Sequence, residues 1–101
     1  GLTYQSMERY EEALQDLNQA IELDPKYSLN IASRGATYVL MERYEEALQD
    51  LNQAIALDSK FSLAIALRGH VYKTLRQYDK ALQDFNQAVG IDPKDELPIR
   101  K

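Results

Sequence analysis

Cysteine is absent from this 101-residue sequence, and so is tryptophan. Without cysteine there is no disulfide framework, and thiolate chemistry is excluded. No apolar run approaches the roughly 18 residues that a transmembrane helix needs, and no charged-then-apolar leader is recognisable. These features are compatible with an intracellular, cytoplasmic setting, which we take as an expectation.

Basic residues are outnumbered as well. Twelve lysines and arginines face 16 aspartates and glutamates, which gives a net charge of -4. Because lysine and arginine supply most of the affinity for nucleic acids and anionic membranes, we expect neither as a partner. His70 is the only histidine, metal-ligand spacing is missing, and the glycines stand singly and not in a phosphate loop. We therefore expect no enzyme, no metal and no cofactor.

One block of eighteen residues occurs three times at a spacing of 34. It reads MERYEEALQDLNQAIELD at 7–24, MERYEEALQDLNQAIALD at 41–58 and LRQYDKALQDFNQAVGID at 75–92. A fixed period of this size indicates a repeat array, in which each unit buries its apolar face only against its neighbours. We expect a single array over 1–101 with units at 1–34, 35–68 and 69–101, its first inner helix truncated and its last incomplete.

Each unit is predicted to hold one inner and one outer helix. Apolar residues from Tyr44 to Leu57 recur at i, i+3, i+4 and i+7, which is typical of a helix with one solvent face. The segment from Ser28 to Leu40 has almost no polar face, which indicates packing on several sides. The turn between them is short, and Asp-Pro or Asp-Ser ends each outer helix. The predicted helices are 1–6, 8–23, 28–40, 42–57, 62–74, 77–91 and a short one from about Lys94.

At these positions the chain resembles the tetratricopeptide repeat family over nearly its whole length. That family places a small residue where the two helices cross, an aromatic residue three positions later, and an aromatic, an alanine, a large apolar residue and a second alanine along the outer helix. In the second unit these positions hold Gly35, Tyr38, Tyr44, Ala47, Leu51 and Ala54. The resemblance implies an all-α fold, a right-handed superhelix of antiparallel helix hairpins.

Arginine precedes two of the crossing glycines, where the family often has leucine. These residues are Arg34 and Arg68, and each outer helix carries an aspartate, at Asp16, Asp50 and Asp84. An arginine at a helix-packing position is seldom buried without a partner, so we predict structural ion pairs between these arginines and aspartates. The alternative is an arginine whose stem packs while its guanidinium stays in water.

The resemblance also implies a partner-binding site on the concave face, which the inner helices line. The residues at its positions are Leu29, Ala32, Ser33, Ala36, Leu40, Leu63, Ala66, Leu67, His70 and Lys73. A subclass of the family binds chaperone C-termini through a clamp of lysine, asparagine and arginine, but the matching positions here hold Leu2, Ser33, Leu63 and Leu67. We expect a protein or peptide partner that is apolar or helical. The alternative is that these leucines only pack against each other or a neighbouring helix.

A second functional hypothesis is a structural spacer, or a designed or recently amplified repeat scaffold. The first two blocks differ only at Glu22 and Ala56, and near-identical units leave little room for unit-specific ligand contacts. Residues 1–6 and 96–101 correspond to complementary parts of one inner helix. This register predicts head-to-tail self-association of copies.

Overall fold

The computed structural model of the protein describes residues 4–91. Within them five helices follow one another, α1 Tyr4–Leu23, α2 Ser28–Leu40, α3 Tyr44–Leu57, α4 Ser62–Thr74 and α5 Tyr78–Ile91. No strand occurs in this part of the chain, so the all-α prediction is confirmed there. None of these helices is long and apolar enough to cross a membrane. The helix predicted from about Lys94 and the positions of Gly1 and Leu2 lie outside the described residues.

The helices pack in chain order as a layered array. α2 pairs with α3, and α4 pairs with α5, as antiparallel hairpins, while α1 packs on α2 and α3 packs on α4. The inner helices α2 and α4 also touch each other. Each inner helix is therefore flanked by two outer helices, which is why its sequence has so little polar face.

Left-handed residues close the turns within both hairpins. Glu42 and Arg76 have φ values of 61° and 66°. In the first turn the N–H of Arg43 donates to the carbonyl of Tyr38 at 2.8 Å, which ends α2. Such a backbone costs a non-glycine residue about 1–2 kcal/mol, so packing between the two helices must hold it in place. Because of these turns, α3 and α5 begin slightly later than the predicted 42 and 77.

The first copy of the repeated block differs from the second at its beginning. Residues 7–21 and 41–55 are identical in sequence, yet residues 7–9 are helical within α1 whereas residues 41–43 form the turn. The prediction of separate helices over 1–6 and 8–23 is therefore wrong, because α1 runs unbroken from Tyr4. Among the described residues no inner helix precedes α1, so nothing there holds Glu8 in the left-handed conformation and the helical hydrogen bonds continue.

Alanines and branched apolar residues at the helix crossings form the centre of the core. The side chains with no exposed surface are Ala47, Leu51, Ala54, Ala64, Ile65 and Val71. A Cβ added to Gly35 would lie 3.1 Å from Leu51 Cγ, and one added to Gly69 would lie 2.9 Å from Phe85 Cε1. Both glycines are buried where the two helices of a hairpin meet. The absence of a side chain at these two positions therefore sets the helix spacing that the rest of the array repeats.

Candidate protein-binding surface

Arginine–aspartate pairs tie each inner helix to the outer helix of its own hairpin. Arg34 donates from Nε and Nη2 to the two carboxylate oxygens of Asp50, both at 2.8 Å. Arg68 makes the same fork to Asp84, at 2.8 and 2.7 Å. The aspartates are 6% and 4% exposed, so each buried carboxylate has a bidentate partner. Hydrogen bonding to the aspartate is the largest cause of a raised pKa for both arginines.

The third nitrogen of each guanidinium, Nη1, donates to the outer helix of the preceding unit. Arg34 Nη1 donates to Asn18 Oδ1 at 2.9 Å, and Arg68 Nη1 donates to Asn52 Oδ1 at 2.8 Å. Each guanidinium therefore joins three helices and fixes the register between neighbouring units. The asparagines were not among the sequence-derived candidates, although Asn18, Asn52 and Asn86 recur at the 34-residue period.

Asp16 lies outside this arrangement. Both arginines bind the aspartate that follows them by 16 positions, and neither Arg34 nor Arg68 stands at that offset from Asp16. Asp16 is exposed, and within the described residues it takes part in neither arginine fork. The ion pair expected for Asp16 is thus not present in this part of the chain.

One side of the two inner helices is left uncovered by the outer helices. We call it the inner-helix face, and it consists of Leu29, Ser33, Ala36 and Leu40 on α2 with Leu63, Leu67 and His70 on α4. On each helix these residues follow the i, i+4, i+7 spacing of a single stripe. Because α2 and α4 are in contact, the two stripes lie on neighbouring helices.

The inner-helix face is mainly apolar and open. Leu29, Leu40 and Leu63 are 45%, 56% and 59% exposed. Leu67 is only partly exposed, because it also packs against the core cluster. His70, the last residue of the stripe on α4, is exposed. Several exposed leucines on neighbouring helices are typical of an interaction site.

Three further residues that were predicted to bind a partner differ in their solvent exposure. The prediction of Ala32 as a partner-binding residue is wrong, because it is 3% exposed and belongs to the core cluster with Ile31 and Leu51. One position along a helix rotates the side chain by about 100°, enough to turn it from the stripe into the core. Ala66 is half-buried at the edge of the face, and Lys73 is exposed beside it.

Positive charge is scarce on the inner-helix face. Arg34 and Arg68, the arginines of α2 and α4, are held by buried aspartates. Lys73 is the remaining basic residue of α4 apart from His70. A free carboxylate at this surface would contact the apolar side chain of Leu63 and not a basic side chain. In the described part of the chain no group of three or more His, Asp or Glu side chains could hold a metal ion.

The sequence matches known repeat profiles along most of its length. One tetratricopeptide repeat profile matches residues 1–27 and 62–95, and a second matches residues 32–61. The chain therefore belongs to the tetratricopeptide repeat family, as the sequence analysis predicted. No curated protein matches the chain.

Solved structures of the same family share the fold. The second tetratricopeptide repeat domain of Spaghetti (RPAP3), bound to the HSP90 peptide SRMEEVD, is 32% identical with a TM-score of 0.80, over 88% of this chain and 82% of that chain. The first such domain, bound to the same peptide, is 22% identical with a TM-score of 0.82, over 92% and 74%. The Arabidopsis OM64 domain is 24% identical with a TM-score of 0.82, over 90% and 75%.

Proposed function

We propose that this chain is a protein-interaction module that binds an apolar, helical segment of a partner protein on its inner-helix face. The observation that carries the proposal is the pair of stripes on the neighbouring helices α2 and α4, in which Leu29, Leu40 and Leu63 keep about half of their surface exposed. Family membership supports a protein or peptide partner, since the family is generally a non-catalytic interaction fold. Covering the exposed part of each leucine contributes about 1 kcal/mol to binding.

The chemistry of the face favours an apolar partner over an acidic one. The peptide in the Spaghetti structures, SRMEEVD, carries three acidic residues. On this chain the arginines of the inner helices are already held by Asp50 and Asp84, and the inner-helix face itself contains no lysine or arginine. A helix that lays its own apolar stripe along α2 and α4 matches the surface better than a carboxylate does.

A display selection tests this proposal directly. Helical and extended peptide libraries are selected against the chain, and affinities of the enriched peptides are measured by fluorescence anisotropy. We expect Leu63→Glu to weaken binding by at least about tenfold, because a charge replaces an exposed leucine of the inner-helix face. Leu23→Glu is the matched control, since Leu23 is 84% exposed at the end of α1 and away from the face.

Two results would count against the proposal. One is an enriched peptide that binds Leu63→Glu as tightly as it binds the unsubstituted chain. The other is tighter binding of SRMEEVD than of any apolar helix from the library. Circular dichroism of each variant verifies that the helices remain intact.

Head-to-tail self-association remains a second proposal. The near identity of the first two blocks supports a scaffold role, because copied units can pack against further copies. Sedimentation equilibrium over a wide concentration range tests it, and a strict monomer throughout contradicts it.

A further inference from the structure

The turns of the two hairpins have the same backbone and opposite net charge. In the first hairpin, the turn and the start of α3 hold Glu42, Arg43, Glu45 and Glu46. One period later the same positions hold Arg76, Gln77, Asp79 and Lys80. Because Glu42 and Arg76 have φ values of 61° and 66°, one backbone conformation supports both sequences. The charge of the turn therefore changes between units while its fold does not.

The first turn pairs its arginine within the hairpin, and the second turn has no equivalent pair. Arg43 Nη2 lies 2.8 Å from Glu46 Oε2. At the second turn Gln77 and Lys80 occupy the positions of these two residues. Lys80 Nζ lies 5.5 Å from the centre of the Tyr72 ring instead. Among residues 4–91, Lys80 takes part in no ion pair.

Lys80 is also unfavourably placed for the helix that carries it. It lies in the first turn of α5, where the partial positive charge of the helix N-terminus favours acidic residues. In α3 the first turn holds Glu45 and Glu46. Lys73, by contrast, lies in the last turn of α4, where a cation is favourable. Helix electrostatics therefore account for Lys73 and not for Lys80, which points to a role of Lys80 outside the hairpin.

Three exposed basic residues belong to the second turn. The N–H of Arg76 donates to the carbonyl of Lys73 at 2.9 Å, which closes the turn. Arg76 and Lys80 line one shallow groove of about 380 Å³, to which Asp79 contributes a carboxylate. We call Lys73, Arg76 and Lys80 the basic turn. All three are exposed, and within the described part of the chain none of them is in an ion pair.

We propose that the basic turn binds an acidic segment of a partner protein, whose carboxylates pair with Lys73, Arg76 and Lys80. Charge complementarity carries this assignment, because the like charges of the turn repel one another and carboxylates of a partner replace that repulsion with ion pairs. A protein segment fits better than nucleic acid or an anionic membrane, since the net charge of -4 repels an extended polyanion. The segment needs no free C-terminus, and the basic turn lies at the end of α4, outside the inner-helix face.

A defined acidic peptide tests the proposal on the intact chain. The probe is the labelled peptide ESESESESESES with blocked ends, and its neutral counterpart is QSQSQSQSQSQS. Both are titrated with the chain and followed by fluorescence anisotropy. We expect saturable binding of the acidic peptide, at least about tenfold tighter than that of the neutral peptide. We also expect the affinity to fall as salt is raised, because salt screens exposed charges.

Arg76→Glu together with Lys80→Glu is the diagnostic variant. It installs the residues that stand at the equivalent positions of the first hairpin, where the same turn forms, so the fold is retained. We expect this variant to weaken binding by at least about tenfold. The matched control is Lys26→Glu together with Lys60→Glu, which makes the same change in net charge at exposed lysines in the loops that precede α2 and α4.

Thermal unfolding distinguishes binding from a structural role of the same residues. Because the diagnostic variant places a second acidic residue in the first turn of α5, its Tm is expected to equal or exceed that of the unsubstituted chain. A lowered Tm with unchanged affinity would assign Arg76 and Lys80 to the hairpin itself and overturn the proposal.

Further results would overturn the proposal at the level of the partner. They are the absence of saturable binding, equal binding of the neutral peptide, and an equal loss of binding in the Lys26 and Lys60 control. Tighter binding of a single-stranded DNA oligonucleotide would assign the basic turn to nucleic acid. A dimer of the chain that the diagnostic variant abolishes would assign it to a second copy. Since none of these variants alters the inner-helix face, failure here is distinguishable from failure of the proposed function.

Discussion

Adding a methyl group at Gly69 tests whether close helix contact holds each hairpin together. The new Cβ would lie 2.9 Å from Phe85 Cε1 and 3.1 Å from Asp84 Cβ. Asp84 is held by the fork from Arg68, so α4 and α5 must separate or Phe85 must change its rotamer. Overpacking of this kind costs about 1–3 kcal/mol, and the better helix propensity of alanine offsets about 1 kcal/mol of it. We expect a net loss of up to about 2 kcal/mol.

The matched control is Gly90→Ala on α5. A Cβ at Gly90 meets nothing within 4 Å, so only the propensity gain remains, up to about 1 kcal/mol. Urea and thermal unfolding of both variants, followed by circular dichroism, measure the difference. A loss of about 1 kcal/mol lowers Tm by about 4–8 °C in a domain of this size. If Gly69→Ala is as stable as Gly90→Ala, close contact is not the reason for glycine at the crossing.

Two further stability predictions use pairs of sites within the chain. Glu42→Gly should stabilise the protein by up to about 1 kcal/mol, because Glu42 has a φ of 61° and glycine adopts this conformation without strain. Glu8, the equivalent residue of the first copy, lies within α1, so Glu8→Gly should destabilise the protein by a similar amount. Urea midpoints that shift in the same direction would contradict this reasoning. Arg68→Met should lower the free energy of unfolding by about 2–4 kcal/mol, because it leaves the buried carboxylate of Asp84 without its ion pair. Asn52→Ala removes only an exposed hydrogen bond and should lower it by less than about 1 kcal/mol. Similar costs for the two changes would show that the fork contributes little.

The boundaries of α2 and α4 could be predicted from sequence because their signals are local. Both helices begin at a serine and end before the short turn, as the pattern indicated. The start of α1 could not be predicted in this way. Identical residues at 7–9 and 41–43 form a helix in one copy and a turn in the other, so the conformation depends on which helix packs alongside.

The sequence predicted which side of each inner helix forms the candidate surface, but not which residues on that side are exposed. Leu29 and Leu63 are exposed, as predicted, because they lie on the side of α2 and α4 that the outer helices leave uncovered. Ala32 is buried, and an alanine carries no sequence signal that separates surface from core. Asn18 and Asn52 were overlooked because an asparagine on an outer helix looks like any solvent-facing residue until the arginine opposite is placed.

Amide chemical-shift mapping of a selected peptide tests the central claim most directly. The ¹⁵N-labelled chain is titrated with a peptide from the display selection, and shift changes are followed residue by residue. The largest changes are expected along the inner-helix face, at Leu29, Ser33 and Leu63 and around His70. Changes confined to the solvent-facing residues of α3 and α5 would contradict the account.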